Sequence, residues 1–298
     1  MVAMTSSDSI ILTIFTPSFN RADLLPRLFD SIQQQVGAGD PVEWLIIDDG
    51  STDDTPAIIE RFKAARPDLV RSLYVPNGGK HRAINFAARE VRGGWMLFLD
   101  SDDWLVDGAV GDMLRVIRNL DDKTEIGVVR GLLRFTRGTQ PVAFLANPNP
   151  GKYADWLRRQ RGFDTSAMVK VSCLCRHAFP EHTDERFMAE SWLWHSLDRT
   201  CLTLFVDREW TVCEYQPDGL SARSSRLRAQ APLGAMDLYA VAFVAPMPWR
   251  LRVRAAINWW RYRFHAVQIG RMGMRRACPY RWAPLGWLLY CRDRARRS

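Results

Sequence analysis

The first hundred residues switch repeatedly between two hydrophobic periodicities, and this alternation leaves few folds open. Short apolar, β-branched runs indicate buried strands at 10–15, 44–47, 70–75 and 95–99. Segments with apolar residues every three or four positions, typical of amphipathic helices, lie between them at 21–35, 55–62 and 83–91. Strand–helix–strand repetition with short connections predicts an α/β fold: a mostly parallel sheet with helices on both faces.

Each of these strands is followed by a polar cluster. The clusters occupy 18–21, 48–54, 77–82 and 100–103. Because parallel strands end at the same edge of a sheet, we expect these clusters to lie together, where open α/β sheets bind their ligands.

The last cluster is Asp100-Ser101-Asp102-Asp103. Carboxylates are the hard oxygen ligands that suit Mg²⁺ or Mn²⁺, and these ions usually complete their shell with substrate phosphates. A solvated turn or a helix cap would use the same residues. An EF-hand loop is excluded, since its fifth position would be Trp104.

The two middle clusters suggest nucleotide binding, although each has a plain structural alternative. Asp48-Asp49-Gly50-Ser51 offers a carboxylate to a base N–H or a ribose hydroxyl, or else forms an Asx turn. In Asn77-Gly78-Gly79-Lys80-His81, the glycines let backbone N–H groups approach phosphate, and Lys80 adds a positive charge. This loop is neither a Walker A motif nor a G-x-G-x-x-G fingerprint.

The four clusters together resemble glycosyltransferase family 2. The resemblance is carried by TPSFNR (16–21), EWLIIDDGS (43–51), NGGKHRAIN (77–85) and FLDSDD (98–103). A weaker likeness continues to about residue 222, through Glu190–Trp192 and 214–221, towards bacterial transferases that build capsule or exopolysaccharide. The resemblance to family 2 implies a GT-A fold and an inverting transfer of one sugar from a nucleotide-diphosphate donor to a glycan or lipid-linked acceptor. The expected donor is a UDP-sugar.

The resemblance also implies roles for matched residues. The donor-binding positions would be Pro17, Phe19, Asn20, Arg21, Asp49, Gly79, Lys80, Asp100 and Ser101. Pro17 and Phe19 would line the nucleobase pocket, and Asp49 would bind the base. Asp102 would ligate Mn²⁺ or Mg²⁺, with Asp103 as a further metal ligand.

The general base is harder to place. Displacement at the anomeric carbon needs a carboxylate that takes the acceptor's proton, and the family often carries it in an acidic pair at a helix start. Here the sequence has Ala189-Glu190, so Glu190 is the candidate catalytic base. The alternative is a first-turn acid that favours the helix dipole. Asp184 and Glu185 look like part of a solvated loop.

The second half of the chain has a less regular pattern. It predicts a helix near 109–120, a hairpin of 126–135 with 142–145, a strand at 169–175, a helix at 190–197, strands at 202–206 and 210–215, and a mobile loop at 217–231. We predict a GT-A catalytic domain over 1–225. Its nucleotide-binding half is 8–105 and its acceptor half 106–225. A basic, aromatic-rich helical region follows over 226–298.

Residues 249–298 contain thirteen arginines, five tryptophans and one acid, a formal charge of +12 against +8 for the whole chain. Three interpretations remain open. The segment rests on an anionic membrane surface, binds nucleic acid, or packs on the catalytic body with its arginines solvated. We expect peripheral membrane contact ahead of nucleic acid.

The apolar runs, the first residues and the cysteines indicate where in the cell we expect the protein. No apolar run reaches the roughly 18–20 residues that span a bilayer, and residues 1–8 have no signal-peptide pattern. The six cysteines lack metal-ligand spacing, which favours reduced thiols in the cytoplasm, with the protein peripheral at the inner face of the plasma membrane.

Two other functions compete with sugar transfer. A nucleotidyltransferase on a similar sheet would need a glycine-rich loop after the first strand, and 16–21 contains no glycine. The second competing function is a non-catalytic module that docks on membranes or nucleic acid through its basic tail.

Overall fold

The computed structural model describes residues 10–120, 125–136, 150–153, 165–214, 220–271 and 277–295. Its strands are β1 Leu12–Ser18, β2 Val42–Asp48, β3 Val70–Tyr74, β4 Trp95–Phe98, β5 Trp104–Leu105, β6 Ile126–Phe135, β7 Thr165–Lys170 and β8 Leu202–Cys213. Its α-helices are α1 Leu25–Gln33, α2 Thr55–Ala65, α3 Lys80–Glu90, α4 Ala109–Arg118, α5 Val171–Leu174, α6 Ser191–Leu197, α7 Leu220–Gln230, α8 Pro232–Val244, α9 Trp249–Gln268 and α10 Ala283–Ala295.

The strands form one sheet in the order β3-β2-β1-β4-β7-β6-β8-β5. The first four strands along the chain are parallel. β7 lies antiparallel between β4 and β6, β8 is parallel to β6, and the short β5 closes the edge in antiparallel pairing. The predicted α/β class and mostly parallel sheet are confirmed.

Strand β2 shows why the apolar runs are continuous. Trp44 and Ile46 pack into the cluster beneath α1, α2 and α4, while Leu45 and Ile47 pack into the cluster beneath α3 and α6. Because successive side chains of a strand point to opposite faces, a strand covered on both faces needs apolar residues at every position. In the first cluster, the rings of Phe29 and Phe62 stack at a centroid distance of 4.2 Å.

Two strand predictions in the second half were wrong. The predicted strand at 169–175 is the end of β7 followed by one helical turn, because the N–H of Val171 bonds to Gly94 and that of Cys175 back to Val171. The predicted strands at 202–206 and 210–215 are one strand, β8. The polar residues between them look like a turn, yet β8 continues past them with shifts of register against β6. Glu209 lies opposite Leu132, and its side chain pairs with Arg134 at 2.6 Å. The predicted strand at 142–145 lies outside the described residues.

The predicted mobile loop at 217–231 was also wrong where the structure describes it. Residues Leu220–Gln230 form helix α7, in keeping with the good helix propensity of arginine, leucine and alanine in that stretch. This helix crosses residue 225, the boundary set between the catalytic domain and the C-terminal region. That division stays a prediction.

The C-terminal helices have their own core. Trp259, Trp260 and Tyr262 of α9 are buried with Met236 of α8 and Cys278. Aromatic residues that could have served a membrane or nucleic acid are therefore partly used for packing. Across the described ranges, none of the helices has the length and apolarity to cross a membrane.

Candidate active site

The polar clusters meet at the carboxyl edge of the sheet, as predicted. Ser18 and Asp48 end β1 and β2 as register partners. Beyond them, the backbone N–H of Asn20 donates to Ser51 Oγ at 2.9 Å, and that of Arg21 donates to Thr55 Oγ1 at 2.8 Å. The loops after β1 and β2 are thus joined directly.

The residues predicted to contact the base differ in their surroundings. Pro17 is half-buried, and the Phe19 ring is exposed at the end of β1, where a flat ligand could reach it. Asn20 has a left-handed backbone (φ 52°), and its Oδ1 accepts a bond from the N–H of Thr52 at 2.8 Å. The Arg21 guanidinium donates to the carbonyl of Asn20 at 3.1 Å. The amide of Asn20 therefore braces a neighbouring loop.

Asp49 organises the glycine loop. Its two carboxylate oxygens accept the N–H groups of Gly78 at 2.7 Å and Gly79 at 2.8 Å, and its carbonyl accepts the Asn77 amide at 2.8 Å. Burial raises the pKa of Asp49, and the two backbone bonds oppose that rise. Oδ2 also accepts a long bond from the Asn77 side-chain amide at 3.5 Å, whereas Oδ1 can accept a second hydrogen bond, so contact with a base remains open to this residue.

Gly79 makes a backbone contact that no other residue could make. Its φ is +93°, and a Cβ there would lie 1.9 Å from the carbonyl oxygen of Arg186. The Arg186 guanidinium donates to Asn77 Oδ1 at 3.3 Å, and Arg82 donates to the carbonyl of His182 at 2.5 Å. Segment 182–190 therefore lies directly on the glycine loop.

The acidic cluster after β4 has a composition that fits a hard divalent cation. Oxygens of Asp100, Asp102 and Asp103 all lie within 4.8 Å of one another. Burial, and then the charge of Asp100, raises the pKa of Asp102; burial and both neighbours raise the pKa of Asp103 more strongly. A cation would relieve this crowding of negative charge, and an all-oxygen donor set suits Mg²⁺ or Mn²⁺. Ser101, between them, is buried.

Lys80 connects this cluster to Glu190. Its Nζ lies 2.5 Å from Asp100 Oδ1 and also forms an ion pair with Glu190 Oε1. Burial alone would lower the pKa of Lys80, but the two carboxylates outweigh it and raise the pKa. Glu190 sits at the N-cap of α6, the helix start predicted for it. Asp100 of the acidic cluster and the candidate base thus share one cation.

Arg27 is a site residue that the sequence did not reveal. Its guanidinium lies 3.7 Å from the centroid of the Trp104 ring, pairs with Glu214 at 2.8 Å and donates to the carbonyl of Asp102 at 3.1 Å. It thereby ties the acidic loop to the residue after β8. Its position on the polar side of a helix gives no sequence signal for this role.

The assignment of Glu185 to a solvated loop was wrong. Asp184 is 75% exposed, but Glu185 is only 2% exposed. Glu185 accepts the N–H groups of Leu233 at 2.9 Å and Gly234 at 2.7 Å in the first turn of α8, and Arg271 pairs with it at 2.8 Å. A buried carboxylate is stable there because the N-terminal N–H groups of the helix and a guanidinium surround it.

Residues 13–176, more than half of the chain, match the family model described as "Glycosyl transferase family 2". The chain belongs to glycosyltransferase family 2. Among curated members, it is 36% identical to chondroitin synthase of Pasteurella multocida over 114 residues, which is 38% of this chain and 11% of that protein. It is 29% identical to the poly(ribitol-phosphate) beta-N-acetylglucosaminyltransferase TarS of Staphylococcus aureus over 93 residues, 31% of this chain and 16% of TarS.

Solved structures agree on the fold of this family 2 chain. TarS 1-349 of S. aureus in complex with UDP-GlcNAc superimposes with a TM-score of 0.63 over 87% of this chain and 73% of that one, at 16% identity. The mannosyltransferase PcManGT of Pyrobaculum calidifontis, in complex with GDP-Man and Mn2+, gives a TM-score of 0.54 over 98% of this chain and 82% of that one, at 18% identity. The predicted GT-A fold is confirmed.

Proposed function

We propose that this family 2 chain transfers a single sugar from a UDP-sugar to a glycan or lipid-linked acceptor, with inversion, in bacterial surface polysaccharide synthesis. The observation that carries the proposal is Lys80, which joins Asp100 of the acidic cluster to Glu190. The chondroitin synthase and TarS relatives support the polysaccharide class.

The donor would occupy the carboxyl edge of the sheet. The exposed Phe19 ring offers a surface for the base, and Asp49, already fixed by Gly78 and Gly79, offers remaining acceptor capacity to a base N–H. Lys80 supplies a half-buried positive charge beside the loop, where the diphosphate would lie. The structural neighbour TarS 1-349, determined with UDP-GlcNAc, supports UDP as the nucleotide.

Asp102 and Asp103 are the residues proposed to hold Mn²⁺ or Mg²⁺, with Asp100 on the side of Lys80. When bound, the ion would neutralise charge that builds on the departing diphosphate. Arg27 donates a hydrogen bond to the main-chain carbonyl of Asp102 at 3.1 Å. This hydrogen bond holds the main chain of the proposed metal-binding loop in place.

Glu190 is the proposed general base. The adjacent Lys80 ammonium favours the ionised carboxylate, the form that accepts a proton. The acceptor oxygen would attack the anomeric carbon as Glu190 takes its proton, and the diphosphate would leave from the opposite face. A single displacement of this kind inverts the anomeric configuration.

The test separates donor binding from proton transfer. We expect calorimetry with Mn²⁺ to show UDP binding by the wild type and by Glu190→Gln, with much weaker binding by Asp102→Asn. With a UDP-sugar and acceptor panel, Glu190→Gln should lose roughly 100-fold or more in UDP release, the scale of general base catalysis. Asp184→Asn, an exposed acid in the same segment, is the matched control.

Three results would count against these assignments. Failure of UDP, GDP and dTDP to bind would remove the proposed function. Full transfer activity in Glu190→Gln would remove the base. A retained anomeric configuration in the product, determined by NMR, would remove the single displacement.

A further inference from the structure

One side of the last helix is exposed, apolar and basic. We call it the α10 face. It consists of Leu285, Trp287, Leu288, Arg292 and Arg294 of the helix, together with Tyr280 and Arg281 of the 3-10 turn just before it. Trp287 is 51% exposed and Leu288 57% exposed. Large apolar side chains grouped in this way are the mark of an interaction surface, whereas scattered ones are ordinary.

The packing of α10 fixes which side faces outward. A Cβ on Gly286 would lie 2.5 Å from Trp260 Cβ and 2.9 Å from the backbone nitrogen of Arg261, so the helix backbone lies tightly against α9. Seven residues later, on the same side, Asp293 pairs with Arg261 at 2.6 Å and His265 at 3.0 Å. Residues 285, 288 and 292 follow the helical spacing of the opposite side.

The same packing leaves the α10 face positively charged. Asp293 is the one acid of residues 249–298, and it is turned inward against Arg261 and His265. Arg281, Arg292 and Arg294 are exposed. The face therefore combines two leucines and two aromatic rings with cations at both ends.

We propose that the α10 face docks on the surface of a lipid bilayer rich in anionic lipids. Leucine and tryptophan side chains bury at the acyl–headgroup boundary, and flanking arginines bind the phosphates and counter the negative surface potential. A second copy of the chain fits less well, because it would bring arginines against arginines. Nucleic acid would use the rings and cations but gains little from the leucines. This proposal does not depend on the chemistry proposed for the active site.

Vesicle sedimentation tests the proposal. The probes are vesicles of phosphatidylcholine alone and of phosphatidylcholine with phosphatidylglycerol at equal amounts. We expect the full chain to bind the anionic vesicles at least about tenfold better, and more weakly as salt is raised. Trp287→Ser with Leu288→Ser should lower that binding about tenfold or more, and so should Arg292→Gln with Arg294→Gln. Tyr74→Ser removes a 66% exposed ring on β3 and should change nothing.

Folding of each variant is checked by circular dichroism and by thermal melting. Arg292→Gln with Arg294→Gln changes exposed side chains only. If the serine variants unfold, the arginine variant still tests the proposal. Equal binding to both vesicle types, no binding to either, or equal loss in the Tyr74 control would overturn the proposal. Dimerisation of the wild type that the α10 substitutions abolish, without vesicle binding, would assign the face to a second copy.

Discussion

Glu185 and Arg271 stand 86 residues apart in the sequence and meet in an ion pair of 2.8 Å. The same carboxylate accepts the first N–H groups of α8 at Leu233 and Gly234. One buried side chain thus joins the segment that carries Glu190 to the C-terminal helices. A second contact, between His182 and Asp237 of α8 at 2.7 Å, joins the same two parts of the chain.

The first prediction concerns this ion pair. Glu185→Ala should lower the free energy of unfolding by about 3–5 kcal/mol, because it leaves Arg271 and two helix N–H groups without their buried partner. Asp184→Ala removes an exposed carboxylate that also lies near Arg271, at 3.3 Å, and should cost less than about 1 kcal/mol. Urea unfolding measures both. Equal costs would show that Glu185 is not the residue that joins the helices.

The second prediction compares two glycines with positive φ. Gly79→Ala should destabilise the protein by roughly 3 kcal/mol or more, because both the backbone conformation and the carbonyl of Arg186 oppose a Cβ. Gly108 has φ +78° but open space around it, so Gly108→Ala should cost only about 1–2 kcal/mol. Only the Gly79 variant should also weaken UDP binding. Similar losses in both would mean that the close contact contributes nothing.

The third prediction concerns pH and His195. Burial lowers the pKa of this histidine to about 4, against roughly 6.5 in an unfolded chain. Between these values the unfolded chain binds a proton that the folded chain does not, so the free energy of unfolding falls as pH is lowered. The contribution is about 3 kcal/mol over this window.

Urea unfolding at pH 7 and pH 4.5 checks this. We expect the loss of stability between the two pH values to be smaller in His195→Gln than in the wild type. His177→Gln, at a half-buried histidine, should change the loss less. Parallel losses in wild type and His195→Gln would contradict the prediction.

The fourth prediction concerns Lys80. Lys80→Ala should lower kcat/KM for transfer roughly 100-fold or more, because Asp100 and Glu190 lose their shared cation and a diphosphate would face uncompensated carboxylates. Lys63→Ala, at an exposed lysine that pairs with Glu60 at 2.8 Å, is the control. Released UDP measures both. Activity near that of wild type in Lys80→Ala would show that the shared cation is dispensable.

The fold of residues 10–105 could be predicted from the sequence because the signals there are local. Strand β2 has an unbroken apolar run over 44–47, and the meeting of the polar clusters at one edge of the sheet follows from the parallel topology. Local signals also predicted that Glu190 begins a helix and that an acidic loop follows β4. Their chemical roles stay predictions.

The errors came from partners distant in sequence. Nothing near Glu185 indicates that α8, almost fifty residues later, will bury its carboxylate. The alternation around Val171 resembles a strand, but the chain turns into a helix after pairing with β4 ends at Lys170. Arg27 acquires its role from Glu214, 187 residues away.

The contact of Gly79 with the carbonyl of Arg186 has a kinetic consequence. It joins main chain to main chain, so no side chain can rotate to absorb a displacement of the glycine loop. A ligand that pushes this loop towards Arg186 would therefore meet the main chain of segment 182–190, which also carries Glu190. If the donor binds at this loop as proposed, the contact predicts an ordered addition of substrates, with the donor first and the acceptor second.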